Sequence, residues 1–281
     1  MEYCELIDSG KVFVNYGPMQ MSIYAEAGKH GSNKLAKKGA EKAIEVFTTL
    51  CKYQDLAKKN IREINGLKSV PKPLTLMIDA AKKTGDPDVT PMIAVAGSIA
   101  QLIAENLIKL GADKVVVNNG GDIALGLSRN ESVTVGVMTD LQRNKIDFVK
   151  TINAKSVIRG VATSGLGGRS FTLGIASAVT VFAATASQAD ACATVLCNAT
   201  SIDDPRVHKV RARDIDPNTD IPELMVTTHV DPLPDSLVIK AMAQAKQLAE
   251  KYIQENLIYG ALISLQDRHV MIPEEIVTPN K

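Results

Sequence analysis

No uninterrupted apolar run in these 281 residues approaches the roughly 20 that a membrane-spanning helix requires, so no span and no membrane partner is expected. Charge of one sign is missing as well. Lysine and arginine number 32 against 31 aspartates and glutamates, a net charge of +1 that provides no basic field for nucleic acid. The Lys-rich segment Lys29 to Lys42 reads as a solvated helix face. Met1 to Ser9 carries Glu2, Glu5 and Asp8 and has no signal-peptide pattern, which makes the cytoplasm the expected compartment. The four cysteines, Cys4, Cys51, Cys192 and Cys197, form no CxxC pair, and Cys192 and Cys197 fall in a stretch that reads as buried helix. Core thiols are therefore expected rather than zinc ligands or disulfides. Only four histidines occur, His30, His208, His229 and His269, scattered through loops and strand ends with no metal or triad spacing. A GxSxG elbow, a GxxxxGK[ST] loop and a GxGxxG fingerprint are all absent.

What is present begins with composition. Hydrophobic residues make up 45% of the chain, enough for one large or two modest cores without a staple. The segment Gly160 to Asn198 concentrates the chemistry. Five glycines between Gly160 and Gly174 remove side chains that would keep a phosphate or ring away from backbone N–H groups, and Arg169 offers a forked anion donor among them. Gly167, Gly168 and Arg169 are thus candidates for binding anionic oxygens. Asp190 and Thr194 follow four residues apart on a predicted helix, which places both oxygens on one face. An acid and a hydroxyl of this kind suit a hard divalent cation such as Mg²⁺.

Periodicity predicts two similar halves, about 1–150 and 151–281, in one domain. In the first, Lys11 to Tyr16 and Gln20 to Ala25 alternate around Gly17-Pro18, and Asn33 to Cys51 has helical spacing. A second helix is expected from Pro91 to Leu110, introduced by Thr90-Pro91 and stopped at Gly111. Strands Lys114 to Leu127 and Ser132 to Met138 follow, with a turn at Arg129-Asn130. The second half repeats the order with strands Val157 to Thr163 and Phe171 to Ala184, then helices Ser187 to Ala199 and Pro234 to Asn256. Strands Leu257 to Leu265 and His269 to Ile272, with a turn at Gln266-Asp267, close it. The expectation is an α+β fold of tandem ββααββ units in two layers with mainly antiparallel sheets. Insertions occupy Lys52 to Val89, where a short helix over Asp55 to Ile64 is expected, and Thr200 to Leu233. Val115 to Val117, Val133 to Val137, Val179 to Phe182 and Leu262 to Leu265 are assigned to the core. Asn118-Asn119-Gly120-Gly121-Asp122 interrupts an apolar strand, as a β-bulge does when it re-aims a side chain such as Asp122. The small residues Ala94, Gly97, Ala100 and Ala104 line one helix face and permit close approach.

Three blocks carry a resemblance. Val117 to Ile123, Val161 to Gly165 and Ala189 to Thr194 resemble the NxGGDI, ATSG and ADAxAT motifs of the ApbE superfamily of Mg²⁺-dependent flavin transferases and FAD pyrophosphatases. The last of them follows the strand Val179-Thr180-Val181. A closer resemblance, over nearly the whole chain, is to the uncharacterised ApbE-like family of archaea and bacteria. It is carried by Thr90-Pro91-Met92 with Ala94 to Gly97, and by Thr163-Ser164-Gly165 with Gly167 to Phe171. The resemblance implies T-fold-like ββααββ units. It also implies that Asp190 and Thr194 bind Mg²⁺, that Thr163, Ser164 and Gly165 line a nucleotide, and that Asn118, Asn119, Gly120, Gly121 and Asp122 lie on the same cleft, with FAD or FMN as ligand. The chain departs from the transferases in one respect. Their His-Ile-x-Asp-Pro segment has no counterpart in Leu166 to Ala178, so the catalytic group is left unassigned.

Three readings follow. The first is a metal-assisted enzyme, transferase or hydrolase, on a nucleotide-like or other anionic small molecule. The second is a flavin- or metabolite-binding protein without transfer chemistry. The third is an accessory or scaffold subunit. A homodimer suits all three, because open antiparallel sheets leave edges to cover.

Overall fold

A computed structural model describes residues 3–66, 69–128, 130–143 and 145–280. The chain opens with strands β1 (Cys4–Asp8), β2 (Lys11–Tyr16), β3 (Met19–Ala27) and β4 (His30–Gly31). Helices α1 (Asn33–Cys51), α2 (Gln54–Ala57) and α3 (Lys72–Lys83) follow, and a 3-10 turn at Pro91–Ala94 leads into α4 (Val95–Lys109). Strands β5 (Lys114–Asn119), β6 (Asp122–Leu127), β7 (Ser132–Val137), β8 (Phe148–Asn153), β9 (Gly160–Ser164) and β10 (Ala178–Ala183) precede α5 (Ala186–Asn198). Then come β11 (Val207–Arg211), α6 (Ala212–Ile215), β12 (Met225–Val230), α7 (Asp235–Gln254), β13 (Gly260–Leu265), β14 (Arg268–Ile272) and β15 (Thr278–Pro279). This is a mixed helix and antiparallel-sheet fold, as the residue pattern predicts. Two compact units share the chain: residues 1–133, 151–162 and 183–190 form the first, and residues 134–150, 163–182 and 191–281 the second.

In the first unit, β2 and β3 form a hairpin that closes at Tyr16 opposite Met19, with Gly17 at a φ of +57° that glycine adopts without penalty. Alternation turns Val12, Val14, Met21, Ile23 and Ala25 inward, all fully buried. Helix α1 starts where Ser32 Oγ accepts a hydrogen bond from Leu35 N (3.3 Å). Its inner face is Leu35, Ala36, Gly39, Ala40, Ala43, Val46 and Leu50, the three-to-four spacing that one helix side requires. That face packs on β2, β3 and α4. Strand β5 pairs with β3 and β6, and β6 pairs with the start of β9, Ile123 against Val161 and Ala124 against Gly160.

The run Pro91–Lys109 corrects one expectation: by length and composition alone it is a helical stretch long and apolar enough to cross a membrane. Here its α4 portion packs against α1, β5 and β6, and the residues from Gly97 to Ala104 are all buried.

In the second unit, β10 pairs with β13 and β13 with β14, and α7 covers β13 and β14. Ile175, Ile202, Leu233, Val238, Ala241, Met242 and Leu265 make a core cluster there. The core assignments hold, with Val115, Val117, Val135, Val137, Val179, Val181, Phe182, Leu262, Ile263 and Leu265 all buried.

Four elements differ from expectation. Lys114 to Leu127 is a hairpin rather than one bulged strand, because Gly120 (φ +72°) and Gly121 (φ +115°) turn the chain through 180° between Asn119 and Asp122. Two consecutive positive φ values are what a two-residue type I′ hairpin turn demands. Phe171 to Ser177 is irregular, and the strand starts at Ala178. Side chains organise the irregular stretch: Thr200 Oγ1 accepts from Ile175 N (2.9 Å) and Ala176 N (3.0 Å) and donates to Cys197 O (2.7 Å). The first insertion contains α3 in addition to a split short helix, and the second folds as the β11–β12 hairpin with α6 at its tip. Of the turn expected at Arg129-Asn130, Arg129 lies outside the described residues.

Candidate functional site

The β5–β6 turn and the starts of α4 and α5 meet in the first unit. Because side chains alternate along β5, Asn119 shares the inward face with Val115 and Val117, and it is 7% exposed. Asn118 points the other way and closes the turn, its Oδ1 accepting from Gly121 N (2.9 Å). Asp122 stands opposite Asn119 in register, so the two flank the turn on the same face of the hairpin.

The first turn of α4 supplies the second wall. Helix N-termini leave N–H groups without intrahelical acceptors. At α4 these are met by a carboxylate from α5 rather than by a local cap. Asp190 Oδ2 accepts from Gly97 N (2.8 Å), and Ala96 N donates to the same carboxyl group. The helices come this close only because residue 97 is glycine. A methyl group there would overlap the carbonyl oxygen of Ala186 and stand 2.8 Å from Asp190 Cβ. A second tie runs parallel: Gln101 Oε1 accepts from Ser187 Oγ (2.8 Å), while Gln101 Nε2 donates to Glu105 (2.8 Å), which pairs with Lys72 (2.8 Å).

Asp190 is hemmed in by protein yet keeps partial solvent access. Its pKa stands well above the ordinary carboxylate value, first because burial penalises the charge and then because the Asp122 carboxylate repels it. The Ala96 and Gly97 N–H groups oppose that rise without cancelling it. The corner thus holds two carboxyl groups near enough to resist joint ionisation. Among the described residues no group of three or more His, Cys, Asp or Glu side chains is arranged to hold a metal. Any cation here would therefore draw on the two aspartates with hydroxyl, backbone or water oxygens.

The structure groups Asp122, Asp190, Asn118, Gly120 and Gly121 of the sequence-predicted residues around this corner. Thr194 lies one turn beyond Asp190 on α5 and is partly exposed. The remaining candidates belong to the second unit. Thr163 Oγ1 is hydrogen-bonded to Thr180 Oγ1 (2.8 Å), and Ser164, 9% exposed, reaches the buried thiol of Cys197. Gly165 is packed tightly, since a Cβ there would sit 2.5 Å from Ser177 O. Gly167, at φ +86°, Gly168 and Arg169 form an exposed loop, with Gln142 against Gly167. Two open concavities of the second unit, about 340 and 470 Å³, are lined by residues from Ser201 to Lys209 and from Lys246 to Glu275, and neither contains a predicted site residue.

Sequence spacing missed three participants. Gly97 was legible as part of a small-residue face and of the Ala94 to Gly97 block, and Asn119 as part of the Asn-Asn-Gly-Gly-Asp stretch, but neither with its partner; Gln101 carried no signal beyond being polar in an apolar helix. Two of the histidines are brought together by the fold. His208 and His229 pair across the β11–β12 ladder, and Asp231 accepts from both, at 2.8 and 3.2 Å. The basic run around them is partnered locally, Arg206 with Asp204, Lys209 with Ser201 and Arg213 with Glu223.

Comparison with known proteins places the chain in the ApbE-like class and specifies the family. Residues 4–272 match the family model described as AbpE bacteria, and the chain belongs to that family. It is 40% identical to the UPF0280 protein MK0206 of Methanopyrus kandleri over 56% of this chain and 59% of that one. With the UPF0280 protein of Methanosphaerula palustris the identity is 41% over 42% and 49%. The chain thus spans about half the length of the curated relatives it matches. Among solved structures, the Pseudomonas stutzeri flavinyl transferase ApbE aligns at a TM-score of 0.46 and 12% identity, covering 99% of this chain and 94% of that one. The ApbE protein of Thermotoga maritima aligns at 0.46 and 13%, covering 90% and 93%.

Proposed function

We propose that this chain is a metal-assisted enzyme that acts on an anionic, flavin- or nucleotide-like small molecule at the corner formed by Asp122 and Asp190. The observation that carries the reading is the Asp190 carboxyl group, pinned by the first turn of α4 and pressed by the charge of Asp122. Residues present fit a hard divalent cation: the donors are carboxylate oxygens, the cation relieves the repulsion between them, and the Thr194 hydroxyl follows on the next turn of α5. When bound, such a cation supplies charge neutralisation at a phosphoryl or carbonyl oxygen and a more acidic water. The chain's own part is to hold Asp190 immobile through two backbone N–H groups and to keep Asp122 beside it. FAD and FMN are the ligands of first choice.

A second reading, ligand binding without transfer, is favoured by the state of the hydroxyls. Thr163 is bonded to Thr180 and Ser164 to Cys197, so neither stands beside a base as an activated nucleophile would. A thermal-shift and calorimetric panel of metal-stripped protein with FAD, FMN and ADP, each with and without Mg²⁺, tests both readings. The enzyme reading expects a Mg²⁺-dependent rise that is lost in Asp190→Asn, with phosphate or flavin product released over time. Binding with no product leaves the second reading, and no Mg²⁺ effect on the wild type refutes the cation site.

A further inference from the structure

We propose that Asn119 is a positioning residue for the cation corner, holding the peptide group that in turn holds Asp190. This inference rests on the reading of Asp190 as a cation ligand. Asn119 Nδ2 donates to the carbonyl oxygen of Ala96 (3.2 Å), and the N–H on the other side of that same peptide bond, Gly97 N, donates to Asp190 Oδ2 (2.8 Å). A peptide group is planar and rigid, with its C=O and N–H pointing in opposite directions. Fixing one end therefore fixes the aim of the other. Hydrogen bonds linked through one amide also polarise each other, so the donation from Asn119 strengthens that of Gly97.

Asn119 does this from a defined place. It is the last residue of β5, opposite Asp122 across the turn, so one hairpin carries both the clamp on α4 and the carboxylate that faces Asp190. The spacing of Asp122 and Asp190 is thereby set by a short chain: turn, Asn119 amide, peptide 96–97, Asp190. Nothing in that chain is long or flexible. Asn119 is 7% exposed and Gly97 is buried, and Gly97 has no side chain to absorb a shift.

A merely structural Asn119 would affect stability alone, so the test separates stability from cation affinity. Mg²⁺ is titrated calorimetrically into the metal-stripped full chain for wild type, Asn119→Leu, Asn119→Ala and Asn119→Gln, with the metal-free melting temperature measured in parallel. Loss of a direct partner of a metal ligand costs about 10–100-fold in affinity; Asn119 acts one peptide group further out, so a loss at the lower end, about 10-fold, is expected for Asn119→Leu. Asn119→Gln, which keeps the amide donor, is expected to recover at least part of it at equal or lower stability. If Asn119→Leu does not fold, Asn119→Ala takes its place in the comparison with Asn119→Gln. Wild-type affinity in the donor-less variants, or affinities that follow the melting temperature without regard to the donor, would overturn the inference. A wild type that binds no Mg²⁺ would overturn the underlying reading instead, which distinguishes the two failures.

Discussion

Replacing Gly97 by alanine sets two effects of opposite sign against each other, and the structure decides between them. Alanine is favoured over glycine in a helix interior by about 1 kcal/mol, so propensity alone would stabilise α4. Against this, the new methyl group overlaps the backbone carbonyl of Ala186 and approaches Asp190 Cβ to 2.8 Å. Backbone cannot rotate away as a side chain does, so α4 and α5 must separate. Overpacking of this kind costs about 1–3 kcal/mol, and separating the helices stretches the hydrogen bond from Gly97 N to Asp190, worth about 0.5–1.5 kcal/mol. With the helix-propensity gain subtracted, the net expectation is a loss of about 2 kcal/mol, or roughly 4–8 °C in melting temperature at about 2–4 °C per kcal/mol for chains of this order of size. Gly39→Ala is the control, because a methyl group there meets side-chain methyls and no backbone, Ile23 and Leu107 at 3.0 Å and Ile103 at 3.5 Å, and its effect should stay within about 1 kcal/mol. Urea unfolding of both variants, metal-free, gives the comparison. A Gly97→Ala midpoint at or above the wild-type value would refute the argument that glycine is required for the contact between these helices.

Two further outcomes follow from the second unit. Thr200→Val keeps shape but removes the hydroxyl that serves Ile175 N and Ala176 N; two buried donors left unmet at about 1–3 kcal/mol each should cost about 2–6 kcal/mol in urea unfolding, and a loss below about 1 kcal/mol would contradict the assigned bonds. Burial pushes the Cys197 thiol up to about 11 and leaves Cys51 exposed, so a thiol reagent at pH 8 should label Cys51 quickly and Cys197 only after unfolding, which mass spectrometry of timed digests would check.

Local chemistry made some elements readable and left others hidden. Helix α1 was legible to the residue, since Ser32 caps it and its small and apolar residues recur on one face. The turn at Gly120-Gly121 was visible as a disturbance, but glycines serve bulges and turns alike. The ladder to β3, Met21 against Asn119 through Glu26 against Lys114, ends where the chain reverses, and that pairing is remote in sequence. Helix α3 was obscured by Pro71 and Pro73, which read as loop but occupy the entry and first turn, where a missing N–H is harmless. At the candidate site, Asp190 declared itself as an acid among small residues. Its partner Gly97 lies 93 positions earlier, and no spacing rule connects them. The His208–Asp231–His229 cluster was hidden in the same way, by a hairpin whose strands are separated by α6 and a loop.

The interleaving of the two units has a consequence for synthesis on the ribosome. The first unit is complete only when residues 183–190 have been added, after residues 134–150 and 163–182 of the second have already been translated. The N–H groups at the head of α4 therefore wait for an acceptor that emerges 93 residues later, a delay of roughly 5–20 seconds at translation rates of about 5–20 residues per second. During that interval the nascent chain carries an uncapped apolar helix, and its exposure to chaperones or to aggregation is set by how soon Asp190 leaves the exit tunnel.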